Sequence, residues 1–264
     1  MSKNRENNPL RSGPVRFCRY LPGPPLRPFV RNFWTIERDG TVVAPRRQRV
    51  VPDGCVDILL IRRSPAECYK AYVVGTMTTP IFEDLTARAE YLGIRFAPGG
   101  FNHFFGIPAR ELTDQIVPLE SLPASFPSAE QLAESPDIPT RFAILENSLS
   151  QRLPSDRQDP TLEKVLDTIS ACRGSVAISQ LARIACRSPR HLRRRFHESV
   201  GVGPKTFCRI IRFKNALHML RHEPSPDLLQ VALRAGYYDQ AHFIHDFNRF
   251  YGASPSAVLN DCDL

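Results

Sequence analysis

The sequence predicts an α+β chain of two domains, a β-rich N-terminal domain and an all-α C-terminal domain with two helix-turn-helix units joined by a long helix. Three observations lead there. First, one pattern occurs twice. Leu181-Ala182-x-x-Ala185 returns 50 residues later as Val231-Ala232-x-x-Ala235, and His191-Leu192-x-x-x-Phe196-x-x-x-x-Gly201-x-x-Pro204 returns 51 residues later as His242-Phe243-x-x-x-Phe247-x-x-x-x-Gly252-x-x-Pro255. Short helices joined by a tight turn and repeated in this way read as paired helix-turn-helix modules. Second, residues 15–116 consist of short β-branched and aromatic runs punctuated by Pro and Gly. Third, the formal net charge of +8 is unevenly placed: Arg187 to Arg221 holds ten Lys and Arg against one acidic residue, Glu198. A stripe this basic on a helical unit is the footprint of a surface that neutralises phosphates.

The N-terminal elements follow in order. FVRNFWTIE at 29–37 and RQRVV at 47–51 precede a Pro52-Asp53-Gly54 turn, and VDILLI at 56–61, AYVVG at 71–75 and AEYLGIRF at 89–96 complete the set. They favour an antiparallel sheet or small, cupin-like barrel over residues 14–120. In the last run Leu92, Ile94 and Phe96 fall on one face, with Tyr91 and Arg95 on the other. Tyr91 and Arg95 are therefore candidates to line a pocket for an anionic or aromatic effector. A surface ion pair for Arg95 is the competing reading, as a turn aspartate is for Asp53.

Residues 121–160 are rich in Pro, Ser and acidic groups, as a linker would be, but Phe142, Leu145, Leu149 and Leu153 recur at helical spacing and predict a helix near 139–152. That helix is expected to pack between the domains or against another subunit. Residues 161–259 read as almost wholly helical. A helix starts at Asp159-Pro160 or Thr161 with Leu162, Val165, Leu166 and Ile169 inward, and Gly174 follows it. The first unit begins near Ala177. Pro204 suits the first turn of a helix running to about Arg221, and Glu223-Pro224-Ser225-Pro226 separates the units.

On a helix over 189–200, Leu192, Phe196 and Val200 form an apolar stripe while Arg190, Arg193, Arg194 and His197 project from the other side. Outward guanidinium groups on the second helix of such a unit can bond guanine O6 and N7 in pairs. Arg195, on the flank, suits a phosphate, and Ser188 can cap the helix and offer a hydroxyl to the DNA backbone. Shifted by 51, the outward positions become Ala241, Ile244, His245 and Asn248, preceded by Gln240, so none of the three arginines recurs. The scaffold is duplicated and the contact surface is not. The connecting helix of about 18 residues spans on the order of 27 Å, close to the ~34 Å between successive major grooves on one DNA face. Lys205, Arg209 and Arg212 would lie near the intervening backbone.

These units, the Arg212-x-x-x-Ala216 pattern and AGYYDQAHFIHDFNRFYGASP at 235–255 resemble the DNA-binding domain of the AraC/XylS family of bacterial transcription regulators, over roughly residues 160–259. The resemblance implies two units on adjacent major-groove segments and base-facing roles for Arg190, Arg193 and Arg194. In that family an arginine is common where His245 stands and a serine where Ala241 stands. VVPDGCVDILLI and LGIRFAPGGFNHFFGIPARELTDQIVPL resemble the β-rich N-terminal domains of one subgroup, implying an effector-sensing or dimerisation domain. The function implied is a sequence-specific transcriptional regulator, an activator in keeping with the family. Candidate partners are double-stranded DNA, a small-molecule effector, RNA polymerase and a second copy of the chain.

Other classes fit less well. A catalytic metal in a small barrel needs two or more histidines, and His103 is the only one before residue 160. An alkyl-accepting DNA repair protein would need a zinc-thiolate cluster, and Cys18, Cys55 and Cys68 are scattered. No C-x-x-C pair occurs among the seven cysteines, as suits reduced thiols in a cytosol. His218 and His222 have metal-ligand spacing on a helix but no third ligand nearby. No catalysis, cofactor or metal is expected. The polar start MSKNRENNPLRSG and the lack of an 18-residue apolar run predict a cytoplasmic protein that enters no membrane.

Overall fold

The computed structural model describes residues 5–6, 15–38, 46–85, 89–122, 126–127, 129–153 and 159–260. The strands are β1 (Arg5–Glu6), β2 (Val15–Tyr20), β3 (Val30–Arg38), β4 (Arg46–Val50), β5 (Asp57–Arg62), β6 (Lys70–Val74), β7 (Ile81–Leu85), β8 (Glu90–Phe96) and β9 (Ile116–Pro118). Seven form an antiparallel sheet in the order β1-β2-β3-β8-β5-β6-β9, and β4 pairs with β7.

The two-residue period sorts the central strands into two faces. Phe33, Ile58, Leu60, Leu92, Ile94 and Phe96 join the main core. Trp34, Ile61 and Tyr91 join a smaller cluster on the other face, which Leu85 of β7 helps to close. Gly93 lies opposite Trp34 in the β3–β8 pairing, and any side chain there would run into the indole.

Helices α1 (Phe101–Phe105), α2 (Ala129–Glu134) and α3 (Ile138–Ser150) cover the main core face, contributing Phe101, Phe104, Phe105, Leu132, Phe142, Leu145 and Leu149. The helix read near 139–152 is thus seated on the N-terminal sheet. Asp137 caps it by accepting from the Thr140 N–H at 2.8 Å. The buried Arg141 donates to the carbonyls of Leu132 (3.0 Å) and Ser135 (2.9 Å) and pairs with Glu90 of β8, binding α2, α3 and the sheet together. Helix α1 stands inside a stretch read as strands. Its three phenylalanines at i, i+3 and i+4 give it a helical apolar face, and Gly106 ends it at φ 66°.

The C-terminal domain comprises α4 (Pro160–Ala171), α5 (Ile178–Ile184), α6 (Pro189–Val200), α7 (Pro204–His222), α8 (Leu228–Arg234), α9 (Gln240–Tyr251) and α10 (Pro255–Asn260). It has two separate cores. Leu162, Val165, Ile169, Leu181, Leu192, Phe196 and Phe207 form the first; Phe213, Ala216, Leu220, Val231, Phe243, Phe247 and Phe250 form the second. Helix α7 belongs to both, with Phe207, Cys208 and Ile211 on the first and Ile210, Phe213, Ala216, Leu217 and Leu220 in the second. Its 19 residues extend about 28 Å.

Candidate nucleic-acid interface

The helices α6 and α9 start and stop alike. Ser188 accepts from the His191 N–H at 3.2 Å, and Asp239, 51 residues on, accepts from the His242 N–H at 2.7 Å. Both end on a left-handed glycine, Gly201 at φ 91° and Gly252 at φ 79°. The turns that lead into the two units' second helices also contain left-handed residues, Cys186 at φ 49° and Gly236 at φ 86°.

On α6, Leu192, Phe196 and Val200 are buried, while Arg190, Arg193, Arg194 and His197 are exposed along the opposite side. Ser188 is exposed as well, with its hydroxyl oxygen engaged in the cap. Arg195 is half-buried and donates to Asp159 at 2.7 Å, fastening α6 to the start of α4. Burial pushes the Asp159 carboxyl up, but the Arg195 hydrogen bond and the Thr161 and Leu162 N–H groups outweigh it and hold the group below the usual range. Lys205 is exposed in the first turn of α7.

On α9, Gln240, Ala241, His245 and Asn248 are exposed and Ile244 is half-buried, while Phe243, Phe247 and Tyr251 are buried. Two of the three cations read as backbone contacts in the bridging helix, Arg209 and Arg212, are engaged within the domain. Arg209 donates to the fully buried Asp246 of α9, with Nε at 3.1 and 3.2 Å and Nη2 at 2.5 Å. Arg212 donates to the Gly174 carbonyl at 3.1 Å and lies over the Tyr237 ring. Helix-face reasoning passed over Arg187 and Tyr238, which occupy equivalent places in the turns before α6 and α9 and are both exposed, Tyr238 by 90%. The 51-residue offset applied to the turns would have found them.

In the N-terminal domain, Tyr91 is 1% exposed within the Trp34 cluster. Arg95 donates to Asp57 at 3.0 and 3.1 Å and pairs with Asp53 at 3.0 Å, and Trp34 Nε1 also donates to Asp57. Burial raises both carboxyls. At Asp53 the charge of Arg95 more than offsets this, whereas Asp57, beside Asp53, stays above its ordinary value. The buried Cys55 thiol is pushed up to about 12, chiefly by burial, far from thiolate chemistry. His222 Nδ1 lies 2.8 Å from the His218 carbonyl. Among the described residues, no group of three or more His, Cys, Asp or Glu is placed to hold a metal ion. An open cleft of about 530 Å³ lies between β6, β9 and α2, lined by Leu60, Tyr69, Tyr72, Leu119 and Phe126 together with Lys70 and Glu120.

Residues 181–261 match a family described as a helix-turn-helix domain, and residues 18–118 match a domain of unknown function (DUF6597). An uncharacterised HTH-type transcriptional regulator of Haemophilus influenzae is 32% identical over 125 residues, covering 47% of this chain and 42% of that protein. The XylDLEGF operon transcriptional activator of Pseudomonas putida is 25% identical over 146 residues, 51% of this chain and 45% of its own length. The chain thus spans less than half the length of these curated relatives. Among solved structures, the DNA-binding domain of AdpA in complex with a target DNA is 26% identical, with a TM-score of 0.36 over 39% of this chain and 92% of that one. No helix of the described residues is long and apolar enough to cross a membrane.

Proposed function

We propose that this chain, whose helix-turn-helix region is similar to transcriptional regulators and resembles the AraC/XylS family, is a transcriptional regulator binding a specific double-stranded DNA site through α6 and α9 in adjacent major grooves. The observation that carries this reading is the pair of similarly capped helices on one bridging helix, each with an unpartnered polar face. Arg190, Arg193 and Arg194 take base edges and supply most of the affinity. Gln240, His245 and Asn248, with Ala241 against a thymine methyl, supply modest discrimination. Ser188, Arg187 and Lys205 meet phosphates. Arg195 and Arg212 act indirectly, by fixing α6 and α7, because their guanidinium groups already bond within the domain.

Activation would require contact with RNA polymerase, and the N-terminal domain would receive a small-molecule effector or a second copy of the chain. The aromatic-walled cleft suits an aromatic ligand better than the Tyr91–Arg95 face, where the tyrosine is buried and the arginine is paired. Selection of bound sequences from random duplex DNA with the full chain tests the main reading. A two-part motif about one helical turn long from centre to centre is expected. Arg194→Ala should weaken binding to it by about 1–3 kcal/mol, and His245→Ala by less. Failure to enrich any sequence at physiological salt would sink the proposal, because charge alone gives only salt-sensitive, non-specific binding.

A further inference from the structure

The glycines that end the two recognition helices are also where the N-terminal domain touches them. At Gly201, Thr113 Oγ1 donates to the residue's carbonyl at 2.7 Å, and Thr76 Oγ1 donates to the Val200 carbonyl at 2.6 Å. A Cβ on Gly201 would lie 3.0 Å from Thr113 Oγ1 and 3.2 Å from Thr76 Cβ. At Gly252 a Cβ would lie 3.0 Å from Pro80 Cγ and 3.7 Å from Phe82 Cζ. Beside it, the Arg49 guanidinium stacks over the Tyr251 ring at 4.0 Å, and Val51 packs against the second core. One short stretch, residues 76–82, therefore reaches both recognition helices.

That stretch is stiff. Thr76 is fully buried, and its carbonyl accepts from the Asp114 N–H at 3.2 Å. Thr78 donates to Asp114 through its N–H (2.5 Å) and its hydroxyl (2.7 Å), and residue 80 is proline. Residues 81–85 are paired to β4. Pro80 lies four positions after Thr76, so the two attachment points are at most about 14 Å apart along the chain. A third contact joins the N-terminal domain to the bridging helix, where Phe207 of α7 packs on Gly54.

Within the domain the two units have separate cores and are joined by α7 and by one close approach beside it, where Ser175 after α4 meets Gly236 before α9. That approach lies at the turn before α9 and leaves the far ends of α6 and α9 free to move apart; a link between those ends closes the frame. All three contacts avoid the exposed polar faces of α6 and α9. We propose that residues 76–82 act as a strut that sets the separation of the two recognition helices, with Thr76, Thr113, Pro80 and Phe82 as positioning residues. The N-terminal domain then helps choose the spacing between the two halves of the DNA site. This last consequence rests on the two-groove reading above.

Two variants of the full chain test it: Thr76→Val with Thr113→Val, which removes the two hydroxyl bonds to the end of α6, and insertion of two glycines between Thr78 and Thr79, which lengthens the strut. Paramagnetic labels are carried by genetically encoded residues at the outward positions 193 and 248, and their distance distribution is measured without DNA. Wild type should give one narrow peak, and both variants a broader or shifted one with the cooperative unfolding transition retained. Distributions as narrow as wild type in both variants would overturn the strut. In the second arm, one base pair is inserted between the half-sites of the selected DNA. Wild-type affinity should fall about tenfold or more, a register error comparable to a mismatched site, and the glycine-insertion variant should lose less than about threefold. Equal losses would overturn the role in spacing. Absence of a selected site would instead overturn the two-groove reading and leave the distance measurement to decide the strut.

Discussion

Gly201 and Gly106 separate two costs that usually travel together. Both end helices in left-handed geometry, at φ 91° and 66°, but a Cβ at Gly106 meets nothing within 4 Å, while at Gly201 it lies 3.1 Å from the Ala109 carbonyl. Gly106→Ala should cost only the backbone term, about 1 kcal/mol, and Gly201→Ala about 2 kcal/mol or more. Urea unfolding of the two variants measures the difference; equal costs would mean that Ala109 and Thr113 yield freely. His103 carries a second residue-level prediction. Burial first, and then the charge of Arg195, lower its pKa below the ordinary 6.5, against the opposing pull of Asp159. The folded state thus favours the neutral ring. Its contribution to stability is full above the unfolded pKa and is lost as pH falls through the lower folded value. His103→Asn should flatten the decline in unfolding midpoint below about pH 6.5; an unchanged profile would show that the ring is not part of it.

At the level of elements, each recognition helix is tied to the helix that opens its unit by one ion pair, and the charges are reversed between copies. Arg195 of α6 meets Asp159 at the head of α4, while Asp246 of α9, equivalent to Arg195, meets Arg209 of α7. A recognition helix packed on the wrong partner would face like charge. The two pairs differ in weight: the Arg195 side chain is 41% exposed, so Arg195→Ala should cost no more than about 1 kcal/mol. Arg209→Leu would strand a carboxylate that is 0% exposed and should cost about 3–5 kcal/mol, with Arg209→Leu/Asp246→Leu recovering most of it. Denaturant titration of the three variants decides whether the second pair holds α9. These pairings also mark where sequence reasoning stops. Strand alternation and the apolar stripes of α6 and α9 are local periodicities, so β3, β5, β8 and both units could be read directly. The helical wheel shows Arg195 and Arg212 pointing outward, but not that Asp159 and the Gly174 carbonyl, 36 and 38 positions away, meet them there. Gly201 and Gly252 likewise read as helix stops, since nothing near them in sequence announces Thr76 or Pro80. Helix α1 was legible in the spacing of its phenylalanines, but its place between strands hid it.

Across the whole molecule the charge is polarised, and on the proposed function this predicts that the two units differ in when they bind as well as in how much affinity they supply. Residues 187–221 carry ten basic groups against one acidic, whereas residues 50–159 carry nine against fifteen and residues 222–264 two against six. A neighbouring phosphate array therefore attracts the first unit and opposes the second, so α6 should lead the encounter and α9 should engage once the duplex is aligned. Salt tests this order, because each phosphate neutralised contributes about −0.9 to the slope of log K against log salt. Arg187→Ala and Lys205→Ala, both at exposed positions, should each make the slope shallower by about one and slow association at low ionic strength. His245→Ala and Asn248→Ala should leave the slope and the association rate unchanged and speed dissociation from the selected site, since their contribution comes after the electrostatic encounter. A change in slope from the α9 substitutions as large as that from Lys205→Ala would mean that both units meet the phosphates on equal terms, and the charge reversal along the chain would then have no part in the order of binding.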